Sequence, residues 1–434
     1  MRDIFLLTAI VILILFTLKK PQVGVLTWVW ISIMNPHRET FGFIYSFPLL
    51  DSIVAVTILS CIFHWRNRAQ AQFHPILKTL LIFYIWCTLT TIFAVDFSKS
   101  SIDWVNFTKT LLLVVVMLLF MNKKHWIIAL CAVFVLSIGL TAIKGGIFTL
   151  MTGGGARVWG ADGTAWGDNN GVSVAMLITA PLFLGFFTMF TNKWHKLAAL
   201  GAAVSCVVSL LGTQSRGGWV GLLSVSFMAV MRTKKKFFAL VAMLLVLVVG
   251  YVFMPQSWHD RMGTIATYDE DKSASTRLIQ WEYAIDIALE RPLFGNGFDA
   301  FYYKPYYFKH VAHKDTNRAV HSNYFQVLGE QGFIGLFIYV FLLWQLAKHA
   351  KKVTRQYMGQ DGAAWATGFL GMLQFSVIGY AFNGLTVNMA YLDLIYYILA
   401  IAVLLISHLQ ANYKPNITKR FAYQPSGKSQ PAES

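Results

Sequence analysis

Residues able to do chemistry stand at the edges of apolar runs. In AVHSNYFQVLGEQGFIGLF (319–337), His321, Ser322, Asn323 and Glu330 crowd one entrance. Imidazole has an ordinary pKa near ~6.5, so His321 can accept a proton from a hydroxyl at neutral pH. His321 and Ser322 are equally suited to capping a helix. Glu330 lies about two and a half helical turns further on, so the two side chains need not touch. In LLGTQSRGGWVGLL (210–223), Arg216 sits at the mouth of another apolar run, with Gly217 and Gly218 clearing space beside it. A charge there must snorkel to the interface or bind an anion. Arg277 stands one turn before Trp281, with acids at 269–271 and Glu282 as ordinary salt-bridge partners. Beside Arg216 it would make a second guanidinium fork, and two such forks suit a diphosphate. Arg291 and Arg318 are weaker candidates for that role. In GDNNG (167–171), Asp168, Asn169 and Asn170 are helix-capping types that could, with Arg157, also line an outward cavity. His310, His313, His321 and Asp315 lie close in sequence, but H-x2-H among lysines and arginines is not zinc-ligand spacing, so no metal is expected.

The elements that must position these residues are membrane helices. Of 434 residues, 56% are hydrophobic and 13% charged, and the mean hydropathy is +0.55, too apolar for a soluble domain. Thirteen apolar runs approach the length that crosses roughly 30 Å of hydrocarbon: 3–18, 21–34, 46–64, 77–95, 103–120, 125–143, 171–190, 197–212, 216–231, 237–254, 331–347, 363–382 and 389–409. The first two are short, so twelve or thirteen spans are expected. The net charge of +16 reflects loops rather than nucleic-acid binding. Lys and Arg cluster on alternate connections, at 66–68, 123–124, 193–196, 232–236, 348–355 and 414–420. The positive-inside rule makes that side cytoplasmic and turns 144–170, 213–215, 255–330 and 383–388 outward. The expected organisation is 1–254 with about ten spans, 255–330 as an external loop, 331–410 as the last spans and 411–434 as a cytoplasmic tail. Cys61, Cys87, Cys131 and Cys206 lie in apolar runs without CxxC and read as small buried hydrophobes.

The external loop is patterned. SASTRLIQWEYAIDIALERPLFGNGF (273–298) reads as an amphipathic helix with Leu278, Trp281, Ile285 and Ala288 on one face. Pro292 ends it, and Gly295 and Gly297 turn the chain. The aromatic and lysine-rich FYYKPYYFKHVAHKD (301–315) suits a lipid headgroup layer. GGGARVWGADGTAWGDNNG (153–171) is glycine-rich but lacks a P-loop ending.

Three segments, SRGGW (215–219), TRLIQWEYAIDIALERPLFGNGF (276–298) and HSNYFQVLGEQGFIGL (321–336), resemble the O-antigen ligase and polymerase superfamily in order and spacing. The resemblance implies an all-α polytopic membrane protein of the C-type glycosyltransferase kind, with about 12 transmembrane helices and a large periplasmic loop. It implies a bacterial inner-membrane enzyme that moves a glycan from undecaprenyl diphosphate to a sugar hydroxyl of the lipid A core, without metal, nucleotide or other cofactor. The family's motif arginines map onto Arg216 and Arg277, with Arg291 able to share the second role, and its histidine maps onto His321 as base. Arg157, Asp168, Asn170, Trp281, Arg318, Asn323 and Glu330 would support the site. The implied partners are the lipid-linked donor, the lipid A core acceptor and membrane lipids, with no nucleic acid, and the chain is expected to be a monomer. A polymerase or a protein O-oligosaccharyltransferase shares this shape, and WISIMNPHRETFGF (30–43) is similar to exosortase-associated O-glycosylation ligases. A transporter of the same lipid is the reading from another class. Against it, no internal repeat is evident, and the polar candidates cluster on one side.

Overall fold

The computed structural model describes residues 2–69, 74–161, 163–164, 166–256, 258–259, 272–311 and 319–416. Among these residues it is helical, without strands. The helices are α1 (Arg2–Lys19), α2 (Pro21–Met34), α3 (Leu49–Phe63), α4 (Pro75–Ile92), α5 (Phe97–Phe120), α6 (Lys124–Met151), α7 (Asn169–Phe187), α8 (Lys193–Gly212), α9 (Arg216–Arg232) and α10 (Lys236–Phe253). Then follow α11 (Lys272–Glu290), α12 (Lys304–His310), α13 (Asn323–Tyr357), α14 (Ala364–Asn383) and α15 (Asp393–Asn412). Each of the thirteen expected apolar runs falls on a helix. Nine helices among the described residues are long and apolar enough to cross a membrane, and α2 and α3 are shorter apolar helices.

The helices α7, α14 and α15 form the centre, with most of their side chains buried. Small residues let backbones approach, as membrane helices without a hydrophobic drive to associate require. Gly145 of α6 faces Ser209 of α8, and Gly221 of α9 faces Leu177 of α7. By contrast, α10 buries only Gly250 and is apolar all round, the pattern of a helix solvated by lipid. The four cysteines are buried and free, as expected.

The bundle has two unlike ends. At one, Ala69 N–H donates to Leu119 O and Asn416 N–H to Gln356 O, while Lys124 lies over the Trp365 ring. The basic clusters collect there. At the other, Asn35 Nδ2 donates to Gly163 O, Val95 N–H to Asn296 O and Asn323 N–H to Gly384 O. The candidate residues lie at this second end.

Three expectations change. The helix beginning before 331 starts at Asn323 and runs to Tyr357, broken at Gly332 (φ 70°, ψ −175°). On α11, Leu278 and Ile285 are 45% and 40% exposed, whereas Gln280, Tyr283, Ala284, Ile287 and Ala288 are buried. Counting apolar residues missed this face because Gln280 and Tyr283 belong to it, Gln280 donating to Tyr307 Oη at 3.1 Å. Of the aromatics of 301–311, Phe308 is exposed, but Phe301 and Tyr307 are turned inward. Phe301, Tyr307 and Val311 join Tyr283, Ile287 and Val320 in a second small core, which removes their apolar area from water.

Candidate functional site

The turn before α9 gathers the polar residues of the first half of the chain. Ser215 caps α9, its Oγ accepting from Gly218 N–H and donating to Asn170 Oδ1 at 2.8 Å. Ser173 Oγ donates to Ser215 Oγ and receives a bond from Asn383 Nδ2. Gln214, in the left-handed region at φ 52°, accepts from Arg157 Nε at 3.2 Å and donates to Gly154 O. Asp168 caps α7 through Gly171 N–H, as expected. Arg157, Asp168 and Asn170 are thus assembled around the start of α9, where Arg216 is the first helical residue.

The second half meets that turn through residues 383–386. A Cβ on Gly217 would run into Thr386, and one on Gly384 would lie 2.6 Å from Asn323 Nδ2. Asn323 donates its N–H to Gly384 O and accepts from Met389 N–H through Oδ1. Its side chain therefore fixes the chain between α14 and α15. Ser322 holds the N-cap position of α13 but makes no capping bond, its Oγ pointing to Gly384 O. His321 is not a cap. It is half-buried, at φ 51°, a conformation that costs a residue with a Cβ about 1–3 kcal/mol and that clusters at functional sites. Trp281 Nε1 donates to Val320 O at 3.0 Å, and the Trp281 ring stacks on Phe325. Arg277, one turn earlier on the same side of α11, is thereby brought alongside the His321 segment.

Arg291 is placed elsewhere. Its guanidinium donates to Phe93 O at 2.6 Å, at the C-terminus of α4, where a cation meets the negative end of the helix dipole. Arg318, with His313 and Asp315, lies outside the described residues, as do the acids at 269–271. Among the described residues, no three His, Cys, Asp or Glu side chains are grouped as metal ligands.

The break at Gly332 explains the PLFGNGF segment. Interrupting a helix leaves carbonyls without i+4 donors. The carbonyl of Glu330 is taken by Asn296 N–H (3.0 Å) and Gly297 N–H (2.8 Å), and Gly329 O by Asn296 Nδ2. Trp86 Nε1 takes Gln331 O, and Phe333 N–H donates to Pro292 O. A Cβ at Gly332 would lie 2.5 Å from Leu293 O. The loop and α13 thus splint each other, and Glu330 is held buried against Asp299, whose N–H donates to Glu330 Oε1.

Glu330 lines a cavity of about 380 Å³ between α5, α13 and the 298–302 and 388–393 segments. Asp103, Asn106 and Thr110 enter it from one face of α5, Asp299 from a connection and Asp393 from the first turn of α15. Burial, reinforced by the Asp103 charge, pushes the Asp299 carboxyl up to about 6. At the end of α11, Glu290 binds Tyr306 Oη (2.6 Å), Lys309 and His310, and these bonds, Tyr306's foremost, hold its carboxyl down at about 2. Sequence reading had missed Asp103, Asn106, Asn296, Asp299 and Asp393. The signal was the polar residues at i, i+3 and i+7 within the apolar run after 97.

The fold and its one-ended polar site define a multi-pass membrane protein. Residues 201–340 match the model of a family described as O-antigen ligase, and residues 1–191 match a family of unknown function. No curated protein matches the chain. The match over 201–340 supports kinship of that part of the chain with the O-antigen ligase and polymerase superfamily.

Proposed function

We propose that the protein is an O-antigen ligase, transferring a glycan from undecaprenyl diphosphate to a sugar hydroxyl of the lipid A core. The observation that supports this reading is a shared turn: residues 383–386 touch the start of α9 through Gly217 and Thr386 and the start of α13 through Gly384 and Asn323, while Trp281 of α11 donates to Val320 beside His321. The matched segment 201–340 contains Arg216, Arg277 and His321. Arg216 and Arg277 bind the diphosphate, aided by the N-terminus of α9, where backbone N–H groups and the helix dipole favour an anion. His321 takes the proton of the acceptor hydroxyl as its oxygen bonds to the anomeric carbon. The bond from that carbon to the diphosphate breaks on the opposite face, inverting the centre. The departing electron pair settles on the diphosphate, whose growing charge the guanidiniums stabilise. Diphosphate is already a good leaving group, so the reading invokes no catalytic acid, metal or nucleotide. Arg291 acts as a brace on α4, and Asn323 and Trp281 position the His321 segment. Positive charge at the opposite end of the bundle supports a site facing the periplasm from a bacterial inner membrane.

The test mixes purified protein with undecaprenyl-diphosphate-linked glycan and lipid A core, without metal or nucleotide, and reads glycolipid size on a gel. A ladder from wild type, lost in His321→Ala with donor binding retained, is the expected result. Longer chains on the lipid carrier and none on lipid A would reassign it as a polymerase.

A further inference from the structure

Toward the basic end of the bundle, a groove of about 740 Å³ opens between α4, α5 and α15. Its walls are apolar, with Leu77 and Leu81 from α4, Leu112 and Val115 from α5 and Leu404 from α15. Leu81, Leu112 and Val115 are 50%, 38% and 50% exposed, so the groove faces outward, where a membrane helix meets hydrocarbon. Along α5 its lining runs from Thr108 to Asn122, about 21 Å at ~1.5 Å per residue. That is a little more than half of the roughly 30 Å hydrocarbon core, the depth of one leaflet. The Asn122 end is polar, lined by Asn122, Ser407, His408 and Asn412. Asn412 Nδ2 donates to His408 O at 2.8 Å and to His408 Nδ1 at 3.4 Å, which leaves Nε2–H of the neutral ring as a donor. The His408 ring lies 5.1 Å from that of Trp365, and Lys124 Nζ stands 5.6 Å over the Trp365 ring. Lys123 and Lys124 follow Asn122 directly, and both are exposed. Among the described residues, the connections at this end hold one acid, Asp361.

We propose that this groove holds an anionic phospholipid of the leaflet at the basic end, with an acyl chain along α4 and α5 and its phosphate at the Asn122, His408 and Lys124 mouth. Charge complementarity selects the headgroup. Lysines beside a membrane surface attract anionic lipid over a short range, whereas a zwitterionic head brings an ammonium that Lys123 and Lys124 repel. Hydrogen bonding agrees, because the amides of Asn122 and Asn412 and the His408 N–H are neutral donors beside that charge, the set that phosphate oxygens accept from. Position sets the groove apart from the transfer site. Arg216 begins α9 at the other end of the bundle, so a lipid whose phosphate sits at Lys124 belongs to the opposite leaflet from one whose diphosphate sits at Arg216. The phospholipid is therefore a resident of the fold and not a reactant, and the site stands apart from the ligase reading. A lipid bound to the folded chain alone stabilises it in proportion to how far its concentration exceeds its dissociation constant.

Native mass spectrometry of the full chain, released from nanodiscs of equal phosphatidylglycerol and phosphatidylethanolamine, tests this. Wild type should retain phosphatidylglycerol at least about fivefold more often than phosphatidylethanolamine. Leu112→Trp and Val115→Trp, both at exposed positions, should fill the groove and each cut retention of phosphatidylglycerol at least about fivefold. Lys123→Gln with Lys124→Gln should bring the two lipids to near-equal retention. In phosphatidylcholine nanodiscs, adding phosphatidylglycerol should raise the wild-type melting temperature by several degrees and leave that of Leu112→Trp unmoved. Wild type that retains no lipid, or both lipids equally, would overturn the proposal. So would retention that ignores both tryptophan variants, or a preference that survives loss of the two lysines. Undecaprenyl phosphate displacing phosphatidylglycerol from wild type would overturn it as well and give the groove to the carrier lipid's chain.

Discussion

His321 holds a left-handed backbone that histidine does not prefer. The penalty for a Cβ there is about 1–2 kcal/mol, so His321→Gly should melt above His321→Ala, while both lose transfer by about two to four orders of magnitude, the range of general-base removal. Thermal melting and the gel assay read the two effects separately; a Gly variant no more stable than the Ala variant would remove strain from the account. Asp299 makes a prediction in pH. Its folded carboxyl is raised to about 6 from an unfolded value near ~3.9, so the folded chain holds the proton more tightly. That contribution is fully present below the unfolded value and is lost as pH rises through about 6, on the order of 2 kcal/mol. Melting temperatures of Asp299→Asn should therefore lack the decline seen in wild type from about pH 4 to 6. The positions of Arg216 and His321 at helix starts were legible in the sequence because a charge or imidazole at an apolar boundary is conspicuous. Asp299 was not, because its raised carboxyl comes first from burial and then from the charge of Asp103, nearly two hundred residues away, and only the fold supplies either.

Among the elements, α13 and the 292–297 segment are one unit. Asn296→Ala removes the side-chain donor to Ile287 O and Gly329 O and should destabilise by about 1–3 kcal/mol, the cost of stranding buried carbonyls. Asn296→Asp should do no better, since a carboxylate donates nothing; recovery of the wild-type melting temperature by Asp would refute the splint. Helix positions were readable from apolar runs alone, and every expected run is helical. The apolar run marks the span from 331, and α13 begins eight residues before it, through the polar Asn323, Gln326, Glu330 and Gln331. Their side chains turn to the 384–390 chain, Asp299 and Thr90 of α4 instead of water.

Over the whole molecule, charge and polarity divide between the ends of the bundle. Single cysteines at Ser98, exposed near the start of α5, and at Lys234, at the basic end, should label from opposite sides of intact spheroplasts, Ser98→Cys from outside. The four native cysteines are buried, so the background should be low; labelling of both positions from one side would refute the topology. The alternation of basic connections was visible in the sequence because it depends on local composition, whereas the packing of α7 against α14 was not, since lipid-facing and protein-facing residues are alike apolar. The broken α13 also sets an order of assembly. Its stranded carbonyls are taken up by Trp86 and Asn296, the first made some 240 residues before them. No fragment of the chain ending before Gly329 contains both sides of those bonds. During synthesis the reactive end thus comes into being only when the final helices arrive, and a prematurely released polypeptide would sit in the bilayer as an inert bundle.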